Sequence, residues 1–125
     1  YVALAEQAGI STEIELDIPR ELIVDSLELS MVESNLLENS IQACGRLIDG
    51  TKPYLRLTCR SVGRLLLEIK NPCAKETTLD ENGYPFASQK DHGIGSKSVI
   101  AFAKKYDGEL VYKIENCVFR VRLLV

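Results

Sequence analysis

A chain of 125 residues and 13.9 kDa supplies one core of ordinary size and too little for two. Apolar residues at 46% and charged residues at 26% exclude the disordered, collagen-like and disulfide-scaffold classes. The net charge of -3 hides an asymmetry, because residues 1–45 hold nine acidic side chains against Arg20 alone, whereas residues 46–125 hold fourteen basic against nine acidic. The basic residues are spread over the second half without clustered aromatics, so nucleic acid is not an expected partner.

The opening YVALAEQAG has helical composition, and Gly9 stands where a left-handed C-terminal cap belongs. Residues 1–10 read as the tail of an upstream helix leading into a domain over 11–125. Thr12 to Ile18 then alternates, which predicts a half-buried strand with Ile14, Leu16 and Ile18 on the core side and Glu13, Glu15 and Asp17 outside. From Asp25 to about Leu47 the period becomes helical, with Leu29, Val32, Leu36, Ala43 and Leu47 near one side, and Asp25 with Glu28 has capping-box spacing. Tyr54–Cys59 and Arg64–Ile69 are apolar, strand-forming runs that predict a hairpin.

Residues 71–95 contain two of the four prolines and three of the eight glycines without a sustained period. A segment of that length inside a small domain suggests a functional lid, disordered until a ligand arrives. Helical period returns over Ser96–Tyr106, with Gly108 as the stop, and Glu109–Ile114 and Cys117–Val125 predict a final hairpin turning at Glu115 and Asn116. The order indicates an α+β fold, a two-layer sandwich with helices on one face of a mixed, mostly antiparallel sheet.

No apolar run approaches the roughly 20 residues that cross a bilayer, and the first residues lack the basic flank of a signal peptide. The domain is expected to be soluble and without membrane contact of its own. Cys44, Cys59, Cys73 and Cys117 show no CxxC spacing and are expected to be reduced thiols. His92 is the single histidine, so histidine-pair catalysis and poly-histidine metal sites are excluded.

Two segments could carry chemistry. Asn35 and Asn39 lie one turn apart on the same face of the long helix, and Gln42 extends the row. Asparagine is a poor helix-interior residue, so the row is either a solvated polar face or a set of neutral oxygen ligands, the donor type Mg²⁺ takes beside phosphates. His92-Gly93-Ile94-Gly95-Ser96 comes directly before the predicted helix, where glycines admit close backbone approach to an anion and the helix dipole favours negative charge. In the bland alternative His92, Lys90 and Lys97 are ordinary loop and surface side chains.

Together, N-LLEN-S-IQA and the later HGIGSKSV resemble the N box and second G box of the GHKL ATPase superfamily, the Bergerat-fold nucleotide binders. The stretch IPRELIVDSLELSMVESNLLENSIQAC, the strand end IKNPC and KKYDGEL resemble the catalytic domains of quorum-sensing type bacterial sensor histidine kinases. The resemblance implies Asn39 as the Mg²⁺ ligand and Asn35 as its polar support, both counted as catalytic. Gln42 falls where many such kinases have a basic residue. Asn71 stands in place of the aspartate of a DxGxG motif and takes the adenine amino group. Gly93, Ile94, Gly95 and the Ser96 amide form the phosphate-cradling turn, with His92 before it and Lys97 opening the helix.

The implied function is an ATP- and Mg²⁺-binding catalytic domain that transfers the γ-phosphate to a histidine on an upstream dimerisation domain of the same parent, a membrane-anchored sensor with this domain in the cytoplasm, and so acts indirectly on a response regulator. The runner-up is an ATP-gated or degenerate regulatory module, which the missing DxGxG and Gln42 favour.

Overall fold

The computed structural model describes residues 2–18, 24–47, 50–61, 63–75, 77–84 and 92–125, with the side chains of residue 2 and residues 92–96 excepted. In chain order the elements are α1 (Val2–Gln7), β1 (Ser11–Asp17), α2 (Ser26–Gly45), β2 (Tyr54–Ser61), β3 (Leu65–Pro72), α3 (His92–Lys105), β4 (Glu109–Glu115) and β5 (Val118–Leu124). The five strands form one sheet in the order β1-β2-β3-β5-β4. β1 and β2 run parallel, as a crossover through a helix requires, and the remaining pairs are antiparallel. This is the expected α+β sandwich.

Strand alternation divides the sheet into two faces. Leu55, Leu57 and Cys59 of β2, Leu65, Leu67 and Ile69 of β3, and Val121 and Leu123 of β5 point inward and join Leu29, Val32, Leu36, Val99 and Phe102 of the long helices in one core. α2 lies chiefly over β3 and packs on α3, while α1 packs on β1. Ala5 of α1 and Ile10 just after it are buried in the same core.

β1 departs from expectation. Its alternation makes a strand, but Ile14 and Leu16 are 38% and 57% exposed, and Ile18 just beyond it is 43% exposed. In register they stand beside the buried Leu57 and Cys59, yet β1 is the sheet's edge and α2 lies chiefly over β3. A correct period thus placed the side chains on the right face and said nothing of what covers it.

The C-terminal stops of α1 and α3 were legible with one exchange of roles. Gly9 takes φ +78 after α1 as expected. At the end of α3 the left-handed residue is Asp107, at φ 51, rather than Gly108. Gly108 answers a different demand, close approach: a Cβ there would meet the Leu124 carbonyl oxygen at 2.6 Å and Val125 Cγ1 at 2.5 Å.

Candidate functional site

α2 carries the amide row. Asp25 caps it, its carboxylate accepting from the Glu28 N–H at 3.1 Å. Glu28 does not complete a capping box; its carboxylate pairs with Lys105 of α3 and accepts from the Tyr106 hydroxyl at 3.4 Å. Two turns further, Asn35 lines a cavity of about 260 Å³ between α2 and α3, against Val32, Phe102 and Ala101 and beside Ser98. Asn39 is half-buried on the same helix. Gln42 turns its amide oxygen into the protein, where no donor among the described residues reaches it.

The end of β3 supplies the most constrained group. Asn71 is fully buried, its Nδ2 donates to the Pro72 carbonyl at 3.0 Å, and its Oδ1 has no donor among the described residues. A buried acceptor left unpaired costs about 1–3 kcal/mol, and native structures keep few of them without a reason such as a ligand, ion or water. The amide is therefore fixed by one bond and presents a free acceptor.

Beside it stands an aromatic group that sequence reading missed. Phe119 of β5 is the register partner of Asn71, so the two share the inner face. Its ring packs on Tyr112 of β4 with centroids 5.8 Å apart, and Tyr84 meets Tyr112 edge-on at 6.0 Å. The Tyr112 hydroxyl is buried, has no partner among the described residues, and is held well above the ordinary phenol range by burial and then by Tyr84. Tyr84 belongs to the expected lid, whose described part includes a hydrogen-bonded turn. Asp80 Oδ1 accepts from the N–H groups of Asn82 and Tyr84, each at 2.9 Å, and Asp80 N–H donates to the Tyr84 carbonyl at 2.7 Å. Gly83 supplies φ +81 for this turn. The available signal was the Asp-x-Asn-Gly string, a turn with a mechanism inside an aperiodic stretch. The rest of the lid, residues 85–91, lies outside the described residues.

The glycine segment needs a correction. α3 begins at His92, so Gly93, Ile94, Gly95 and Ser96 form its first turn rather than a turn before it, and Lys97 is its sixth residue. Nothing between His92 and Ser96 forbids helical φ and ψ, because glycine adopts them and no proline intervenes. The backbone N–H groups at 92–94 are among those a helix leaves without internal partners. The anion-seeking end thus lies four residues earlier than the periodicity placed it, and the side chains of residues 92–96 lie outside the described residues.

Three features coexist on the helix-covered side: an amide row on α2, a buried free acceptor closing β3, and a helix N-terminus with glycines in its first turn. The family model described as GHKL domain (HATPase_c_5) matches residues 24–125, and the chain belongs to this family. Among solved structures it is similar to the histidine kinase AdeS of Acinetobacter baumannii, at 18% identity and a TM-score of 0.73, over 99% of this chain and 57% of that one. It is also similar to the catalytic domain of the histidine kinase ThkA, at 16% identity and a TM-score of 0.74, over 99% and 84%. The mycobacterial sensor histidine kinase MprB matches at 14% identity and a TM-score of 0.73, over 99% and 88%. At such identities the likeness is one of fold, and the chain spans little more than half of the AdeS chain. No curated protein matches by sequence.

Among the described residues no helix is long and apolar enough to cross a membrane. No group of three His, Cys, Asp or Glu side chains among them could hold a metal ion.

Proposed function

We propose that this domain binds ATP with Mg²⁺ and is the catalytic part of a sensor histidine kinase, of the quorum-sensing branch to which the NPC strand end points. The observation that carries the reading is the Asn71 amide: buried, fixed through Nδ2, with an unpaired Oδ1 that suits the amino group of adenine, on a chain belonging to the GHKL family. Asn39, supported by Asn35, would hold Mg²⁺, which offsets phosphate charge when bound. The N–H groups of the first turn of α3 would take phosphate oxygens. The Tyr84, Tyr112 and Phe119 rings would exclude water beside the base. In this reading the domain's residues bind and orient, and the accepting histidine belongs to an upstream dimerisation domain of a membrane-anchored parent whose catalytic part is cytoplasmic; a response regulator would receive the phosphoryl group afterwards.

The test is calorimetric titration of an ATP analogue with and without Mg²⁺ on the parent and Asn39→Ala, followed by labelled-ATP transfer to a separately supplied histidine-bearing domain. Metal-dependent binding lost in Asn39→Ala with an unchanged melting temperature supports the reading, as does slow transfer that rises with acceptor concentration. Tight binding without transfer to a cognate acceptor would favour the ATP-gated regulatory module instead. Equal metal-dependent affinity in the two proteins would remove Asn39 from the site.

A further inference from the structure

Cys73 and Cys117 face one another at the end of the β3–β5 ladder. Their register continues the pairs Asn71 with Phe119 and Pro72 with Val118, and the Cys73 N–H donates to the Cys117 carbonyl at 2.8 Å. Such a bond sets the two backbones about 5 Å apart, within the Cα separation a disulfide spans. Cys117 is exposed, and Cys73 is 3% exposed.

Cys117 also occupies an unusual place. The β4–β5 hairpin closes through the two residues Asn116 and Cys117, at φ 52 and φ 60. Both central positions of such a turn need positive φ, which favours Asn-Gly. A cysteine in the second position accepts strain that glycine avoids, so packing preference does not explain its presence.

We propose that Cys117 is a site of reversible oxidation by peroxides, with Cys73 as the resolving thiol, the two closing a disulfide that ties the end of β3 to the β4–β5 turn. In the first step the Cys117 thiolate attacks a peroxide oxygen; the S–O bond forms, the O–O bond breaks, and with hydrogen peroxide one water leaves once a proton is taken up. In the second, the Cys73 thiolate attacks Cys117 Sγ; the S–S bond forms, the S–O bond breaks, and the oxygen leaves as a second water. The sum is two thiols and one peroxide giving one disulfide and two waters.

The other two cysteines are poor competitors. Cys44 is buried and its thiol donates to the Tyr54 carbonyl at 3.5 Å. Cys59 is fully buried, with a pKa pushed up to about 11 by burial and then by Glu33. Cys73 is itself raised, by burial and then by the neighbouring Cys117, against a Thr77 hydrogen bond that lowers it. Conversion of Cys117 to a neutral sulfenic acid removes the second of these influences, so the first step eases the second.

The experiment treats the purified chain with stoichiometric hydrogen peroxide, alkylates it and measures intact mass. The expected product is 2 Da lighter before alkylation and two adducts short after it, monomeric, with a peptide linking Cys73 to Cys117 and recovery in dithiothreitol. Cys73→Ser should stop at a dimedone-reactive sulfenic acid on Cys117. Cys117→Gly, the residue that turn favours, should fold at least as well and yield no disulfide. A bond mapped to another pair, a covalent dimer, or equal oxidation of Cys117→Gly overturns the proposal. None of these readouts depends on nucleotide binding, so the proposal and the kinase reading stand or fall separately.

Discussion

The backbone N–H of Asp25 donates to the Tyr106 hydroxyl at 3.0 Å across 81 residues of sequence. In a capping box this N–H is satisfied by the glutamate three residues on. Here that residue, Glu28, turns instead to Lys105 and accepts from the Tyr106 hydroxyl, so the phenol closes the circuit by accepting from Asp25 and donating to Glu28. The start of α2 and the end of α3 are thereby fixed to one another, with the cavity that Asn35 lines between them.

Tyr106→Phe isolates that circuit, because the ring keeps its contact with Phe102 at a centroid distance of 4.9 Å. The expected loss is about 1 kcal/mol, the worth of a net hydrogen bond with part of its replacement supplied by water. Urea unfolding should show a lower midpoint at unchanged slope. An unchanged midpoint would mean that solvent satisfies Asp25 and Glu28 equally well.

Gly108→Ala tests close approach rather than backbone freedom. The Leu124 carbonyl, 2.6 Å from the added Cβ, belongs to the sheet and cannot yield as a flexible side chain would. Overpacking of this kind costs about 1–3 kcal/mol. Gly63→Ala is the contrast, since its Cβ meets nothing and its φ of +84 supplies backbone strain alone; thermal melts of the two variants measure the two causes separately.

Much of this was legible because local chemistry and tertiary role coincide. The Asp25 cap, the α2 period and the hairpin between β2 and β3 each follow from side-chain spacing that packing then rewards. The amide row was visible because Asn35 and Asn39 are poor helix formers one turn apart on the same face of α2. What sequence could not give was relational. Whether Ile14 and Leu16 are covered depends on where α2 lies. The pairing of Asn71 with Phe119, and the approach of Tyr84 to Tyr112, depend on strand order and on a turn that brings a distant segment back. The start of α3 was misplaced because glycine signals permission for many conformations and selects none of them.

Glu33 gives a stability effect whose sign depends on pH. Burial raises its carboxyl above the ordinary value. A raised folded-state pKa means that the stability is fully present below the unfolded value and is lost as pH rises through the folded one. Glu33→Gln should therefore raise the melting temperature at pH 7 and make no difference near pH 4. The gain should stay below about 1 kcal/mol, because the group is partly exposed and solvent screens it. A stabilisation equal at both pH values would trace to helix packing instead of charge.

Asn71→Asp installs the residue that GHKL kinases with a DxGxG motif are expected to carry. In this chain the exchange removes the Nδ2 donor and sets a carboxylate against the Pro72 carbonyl, which now lies 3.0 Å from that nitrogen. The position is fully buried, and the neighbouring Lys70 points to the opposite face of the sheet by strand alternation. An ionised carboxylate at position 71 would thus lose a hydrogen bond and gain no cation, whereas a protonated one could donate to the same carbonyl. Its folded-state pKa should rise, so by the linkage that governs Glu33 the Asn71→Asp protein should lie close to the parent in stability near pH 4 and fall below it by about 1–3 kcal/mol at pH 7. Asn71→Ala, measured beside it, lacks both the donor and the charge and should show a deficit that does not vary with pH. Denaturant midpoints at the two pH values decide the matter: an Asn71→Asp protein as stable at pH 7 as at pH 4 would require a donor facing the position, and the free Oδ1 assigned to adenine would then already have a partner.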